Sequence, residues 1–102
     1  MMYKLRYLPS ARKDISEIVL YIAQHLKAAK AAADLVDALD KSIKRLEKFP
    51  YSCKVYQAAI ALDEEYRMLP VKNYAVFYVV KDNIVEIHRV IYCKIDIENI
   101  IK

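Results

Sequence analysis

Glycine is absent from this chain, and so is tryptophan. Gly-rich phosphate loops, dinucleotide-binding fingerprints and Gly-flanked nucleophile elbows all need a residue without Cβ where backbone meets phosphate or turns sharply. Their absence excludes nucleotide-cofactor chemistry of the usual kinds, and neither a cofactor nor a metal is expected. Cysteine is scarce as well. Cys53 and Cys93 are the only two, lie far apart, and form no CxxC or Cys/His cluster with metal-ligand spacing. They read as reduced thiols, with a bridge between them left open. No apolar run approaches the about 20 residues of a membrane helix, and the start, MMYKLRYLPSARKD, lacks the apolar stretch of a signal peptide. A soluble, cytoplasmic chain with no membrane partner is expected.

What is present suits one compact domain spanning 1–102. The 102 residues are 57% hydrophobic, enough for a core without disulfides or metal. Lys and Arg outnumber Asp and Glu by 17 to 13, for a net charge of +4, which favours acidic partners such as nucleic acid or an acidic protein surface. Nine tyrosines against two phenylalanines give an aromatic set that mostly carries a hydroxyl, able to pack, stack or move a proton.

The pattern along the chain predicts an α+β fold. Tyr3, Leu5 and Tyr7 alternate with Lys4 and Arg6 as a short strand, ended by Pro9, with Ser10 as a plausible helix N-cap. Ala11, Ile15, Ile18, Val19, Ile22 and Leu26 then form one stripe of an amphipathic helix. After a break near Lys27 to Lys30, Leu35, Leu39, Ile43 and Leu46 mark a second helix, closed by Pro50 and carrying acid-first pairs at Asp37/Lys41 and Asp40/Lys44. The two helices form an antiparallel hairpin whose stripes need a sheet. FPYSCKVYQAAIALD reads as irregular. EEYRML, YAVFYVV and IVEIHRVIY follow as a three-stranded antiparallel run that completes one twisted sheet with helices on one face. The turn Lys81 to Asn83 uses Asp and Asn, residues that tolerate left-handed backbone.

Strict alternation assigns faces. On the last strand Val85, Ile87, Arg89 and Ile91 share one side, read as the helix-covered one. Glu86, His88, Val90 and Tyr92 share the other, which places a carboxylate, an imidazole and a phenol on one surface. Those are the groups of general acid and base steps; the plain alternative is a solvated strand face. On the preceding strand Val76, Tyr78 and Val80 face the helices, and Ala75, Phe77 and Val79 face away. That apolar row marks a partner-binding surface unless the 51–63 segment or the C-terminal tail folds over it. Arg67 and Arg89 stand within strands, where a guanidinium reaches phosphates or carboxylates; the alternative pairs each with an acid such as Glu64, Glu65 or Glu86. Lys48, Lys54, Lys72 and Lys94 either confer solubility or form a basic rim for phosphates.

ARKDISEIVLYIAQ, IKRLEKFP, YRMLPVKNYAVFYVV and VEIHRVIYCKID, in this order and spacing over nearly the whole chain, resemble the RelE/ParE superfamily of toxins from bacterial type II toxin-antitoxin modules. The resemblance implies an antiparallel sheet with a helical hairpin on one face, and a cognate antitoxin, for which Ala75, Phe77 and Val79 are the docking candidates. It also implies one of two targets. RelE-like members cleave mRNA on the ribosome; ParE-like members inhibit DNA gyrase without enzymatic activity. The nuclease reading, placed marginally first, takes Tyr92, Arg89 and Lys94 as catalytic, with Arg67, Lys72 and Lys54 on RNA phosphates. Against it, Ala75 stands where nuclease members commonly carry an arginine, and alanine cannot stabilise charge developing on phosphorus. The alternatives are a gyrase inhibitor and an attenuated member that only binds its antitoxin.

Overall fold

The structure, a computed structural model, describes residues 2–56 and 64–93. Strand β1 (Lys4–Tyr7) leads into helix α1 (Pro9–Leu20), which continues as a π-helical turn over Tyr21–His25. Helix α2 (Ala29–Lys44) follows and tightens into a 3₁₀ turn at Arg45–Glu47. Then come β2 (Arg67–Val71), β3 (Tyr74–Lys81) and β4 (Ile84–Tyr92). The sheet order is β1-β4-β3-β2. β2, β3 and β4 form the expected antiparallel run, but β1 lies parallel to β4, so the sheet is mixed rather than antiparallel throughout. The helical hairpin carries the chain from β1 to the far edge at β2, and the meander returns β4 beside β1. Only the long connection through the helices allows this parallel neighbour.

The predicted helix stripes are the core. Leu35, Leu39, Ile43 and Leu46 are buried against Val76, Tyr78, Val85 and Ile87, with Ala11 and Ile22 of the first helical segment closing the other side. The Tyr78 hydroxyl, deep in this layer, donates to the Pro50 carbonyl at 2.7 Å, and burial pushes the phenol far above its ordinary value.

Two details of α1 differ from expectation. Pro9 is its first residue and Leu8 its cap, with no side-chain capping bond, because Pro suits a position whose N–H would have no intrahelical partner. The Ser10 hydroxyl instead donates to the His88 carbonyl at 2.7 Å.

A chain without glycine must place other residues in left-handed backbone. Lys27, Lys72 and Asp82 do so, with φ of 50°, 54° and 52°. Lys27 follows the helix C-cap Leu26, where glycine is the usual choice. Lys27→Gly is therefore expected to stabilise the fold by about 0.5–1 kcal/mol, relief of the Cβ clash outweighing the added freedom of the unfolded chain. Urea midpoints of the two proteins measure it.

Candidate functional site

Among the described residues, Glu86, His88 and Tyr92 do not share one face, and the reason is one extra residue in β4. Phe77 pairs with Arg89 and Tyr78 with Ile87, so His88 is inserted as a β-bulge, which shifts every later side chain by one position. Val85 and Ile87 face the helices as expected, but so does Val90. Ile91 turns instead to the opposite cluster with Ala75 and Phe77, correcting its expected place on the helix-covered face. Tyr92 pairs with Tyr74, their rings 5.4 Å apart, on the helix side. The surface of Glu86, His88 and Tyr92 inferred from alternation is thus divided between two faces.

Arg89 is engaged by the first helix. Its Nε donates to Asp14 Oδ2 at 2.7 Å and its Nη2 to Oδ1 at 2.9 Å, while the Val90 N–H donates to the same carboxylate at 3.0 Å. Beyond the end of β1, then, α1 takes over the outer edge of β4, through Ser10 on the His88 carbonyl and Asp14 on Val90. The acid-paired alternative for Arg89 holds with Asp14 rather than with a strand acid, and the hydrogen bond raises the already high guanidinium pKa. Arg67 donates to the Cys53 carbonyl at 2.7 Å and lies 3.5 Å from Glu65, one of the acids expected for it. Lys72 occupies the β2–β3 turn and Lys54 is exposed. Lys94 lies outside the described residues. Cys53 and Cys93 are free thiols.

Ala75, Phe77 and Val79 are buried, the first two completely, which overturns their reading as an open docking row. Segment 54–56 runs beside β2, joined by Tyr56 N–H to the Tyr66 carbonyl at 2.7 Å and by a bridge between Val55 and Arg67. Tyr56, Tyr66 and Met68 pack against Ala75, Phe77 and Ile91, with Tyr56 edge-on to Phe77 at 5.2 Å. The segment read as irregular is therefore partly the sheet's second cover.

Beside that cover lies a charged network. His88 Nε2 donates to Glu86 Oε1 at 3.2 Å, in the tautomer whose Nδ1 accepts from the Tyr66 hydroxyl at 3.1 Å. Lys81 bridges Glu64 at 2.6 Å and Glu86 at 3.5 Å, and Arg6 stands 3.7 Å from Glu86. The His88 hydrogen bond, helped by Lys81 against the opposing effect of burial, holds the Glu86 carboxyl below its ordinary value. A depressed carboxylate contributes stability above its unfolded pKa of about 4, which is lost as the pH falls through the lower folded value. The stability gap between the protein and Glu86→Gln is accordingly expected to be full at pH 6 and to shrink below about pH 4. Urea unfolding at several pH values reads this directly.

A concave feature lies elsewhere among the described residues. The π-turn and the short link to α2 splay the helix ends over the end of the sheet, leaving a groove of about 810 Å³ lined by Ile18, Tyr21, Leu26, Leu35, Tyr74 and Tyr92 among others. Its lining is mostly apolar, with Glu17 and Lys72 as the charged members. Tyr21 and Leu26 are each more than half exposed. Partial burial, aided by the nearby phenols of Tyr92 and Tyr21, raises the Tyr74 pKa. Sequence reasoning placed Ile18, Ile22 and Leu26 on a core stripe and missed that its end is uncovered. Among the described residues, no helix is long and apolar enough to cross a membrane.

The model of a family described as the ParE toxin of type II toxin-antitoxin system, parDE, matches residues 5–97. No curated protein matches by sequence. Among solved structures, a chain of the chromosomal ParDE toxin-antitoxin system from P. aeruginosa superposes with a TM-score of 0.74 at 17% identity, over 91% of this chain and 98% of that one. A chain of the RelBE2 toxin-antitoxin complex from Mycobacterium tuberculosis gives 0.61 at 19% identity, over 90% and 99%. A copper-bound mutant toxin from Helicobacter pylori gives 0.55 at 17%, over 89% and 94%.

Proposed function

This chain belongs to the ParE toxin family of type II toxin-antitoxin systems, and we propose that it is a growth-arresting toxin that inhibits DNA gyrase by contact, without cleaving RNA. The observation that carries the choice of target is the engagement of the would-be catalytic groups. Arg89 is held by Asp14 in a two-pronged pair, and Tyr92 lies in the apolar groove on the face opposite Glu86 and His88. Ala75, where an arginine would serve cleavage, is sealed in the sheet. In-line attack of a ribose 2′-OH on its phosphate needs a base at the hydroxyl and cations at the phosphoryl oxygens within one site. Among the described residues, Arg89, Tyr92 and Ala75 form no such set.

The partner in this reading is an antitoxin whose amphipathic segment fills the groove, its apolar face covering Tyr21 and Leu26. That surface replaces the buried Ala75, Phe77 and Val79 row. The antitoxin expectation draws support from the neighbours, both a ParDE and a RelBE system.

Two assays on the purified chain separate the targets. Gyrase supercoiling should be inhibited, and mRNA on programmed ribosomes should remain intact. Tyr92→Phe, which removes only the phenol hydroxyl, is expected to keep full growth arrest. Cut mRNA, together with loss of arrest in Tyr92→Phe, would restore the nuclease reading; a chain that leaves growth and both targets untouched would point to an attenuated toxin.

A further inference from the structure

At the far end of α2 from the groove the surface changes character. Lys41, Lys44, Arg45 and Lys48 line a second depression of about 480 Å³, with Met2 at its side and Glu47 its only acid. Lys41 pairs with Asp37 at 3.0 Å, but Lys44, Arg45 and Lys48 have no ion-pair partner among the described residues. Cations in the last turn complement the helix dipole, which accounts for one or two of them and not for the rings beside them. Phe49 and Tyr51 are 62% and 57% exposed, ahead of Tyr21 at 54% and the most exposed Phe and Tyr rings among the described residues.

The backbone at Phe49 and the ring of Tyr51 are held in place. The Phe49 N–H donates to the Arg45 carbonyl at 3.0 Å, and the Ser52 hydroxyl donates to the Phe49 carbonyl at 2.8 Å. The Arg67 guanidinium lies 4.8 Å from the centre of the Tyr51 ring, and Tyr3 meets that ring edge-on at 6.3 Å. Tyr3 is tied to the 3₁₀ turn by its N–H on the Glu47 carbonyl at 2.7 Å. The Arg67 guanidinium thus lies against a ring of this surface.

We propose that this shelf, Lys44, Arg45 and Lys48 with Phe49 and Tyr51, binds single-stranded nucleic acid, the cations taking phosphates and the rings stacking on bases. Unneutralised lysines beside exposed aromatic faces match a phosphate backbone with accessible bases. A protein partner fits less well, since lysine is depleted from protein interfaces. A duplex fits less well too, since its bases are already stacked. The two depressions share no lining residue, and Lys44 stands about 14 Å along α2 from Leu35 of the groove, so the two surfaces are separate, and the proposal holds for either target reading.

Fluorescence anisotropy of the full chain with a labelled mixed-sequence single strand of about ten nucleotides tests it. Binding should weaken as salt rises, with a log–log slope near −2 for about three neutralised phosphates. Phe49→Ala and Tyr51→Ala should each lose about tenfold in affinity, and the Lys44→Glu/Lys48→Glu double variant should lose most of the salt dependence. All these side chains are exposed, so an unchanged thermal midpoint confirms that each variant is folded. Absence of salt-dependent binding overturns the proposal, as does affinity that survives the ring and charge variants. Equal competition by duplex of the same sequence overturns it also, and so does a polyglutamate peptide that binds the shelf when the oligonucleotide does not.

Discussion

Replacing Leu26 with glutamate is expected to weaken antitoxin binding by about 30- to 1,000-fold while leaving the toxin folded and active. Leu26 caps the π-turn and is 57% exposed at the mouth of the groove, so a charge there meets water in the free toxin and costs the fold little. In the complex the same carboxylate would lie against an apolar helix face, where burying it without a partner is unfavourable by several kcal/mol. Buried anchors of this kind carry about 2–4 kcal/mol of an interface, which is the stated range. Calorimetric titration with the cognate antitoxin measures the affinity, and co-expression supplies the biological form: the antitoxin should rescue cells from the parent toxin and fail against Leu26→Glu. Unchanged affinity would place the antitoxin on another surface.

Asp14→Ala is expected to cost about 2–4 kcal/mol of stability, which in a domain of this size lowers the melting temperature by about 10–25 °C. The Asp14 side chain is 12% exposed and its partner Arg89 31%. The estimate therefore sits below that for a fully buried pair, because water screens the open side of the guanidinium. Truncation leaves both Arg89 and the Val90 N–H without the carboxylate that binds them. It also frees the edge of β4 where α1 stands in for a strand. Arg89→Met in the Asp14→Ala background removes the stranded cation and should recover part of the loss. A double-mutant cycle on urea midpoints gives the coupling, and a cycle showing no coupling would reduce the pair to an ordinary surface contact.

Much of the fold was legible in sequence for a local reason. The stripe Leu35, Leu39, Ile43 and Leu46 recurs at helical spacing, and each of these residues is buried; the first helix, the break at Lys27 and the β3–β4 turn at Asp82 followed from similarly short-range signals. Membership of the toxin family rests on the order of these same segments. The site was less legible. Arg89 was assigned to a helix-facing strand position, but nothing in IVEIHRVIY announces that Asp14, 75 residues earlier, will hold it. The exposure of the Ala75, Phe77 and Val79 row failed for the same reason, since part of the cover comes from Tyr56, in a stretch with neither helical nor strand periodicity.

The sequence by itself determined two amphipathic helices, a three-stranded meander, a net positive charge and a backbone that must turn without glycine. Periodicity and composition encode those features within a few residues of one another. Tertiary structure alone decided the bulge at His88, and with it that Tyr92 parts from Glu86 and His88 and enters a groove. Alternation predicts faces only while each residue has one partner across the ladder, and that count is set by strand pairing and by α1 taking the edge of β4.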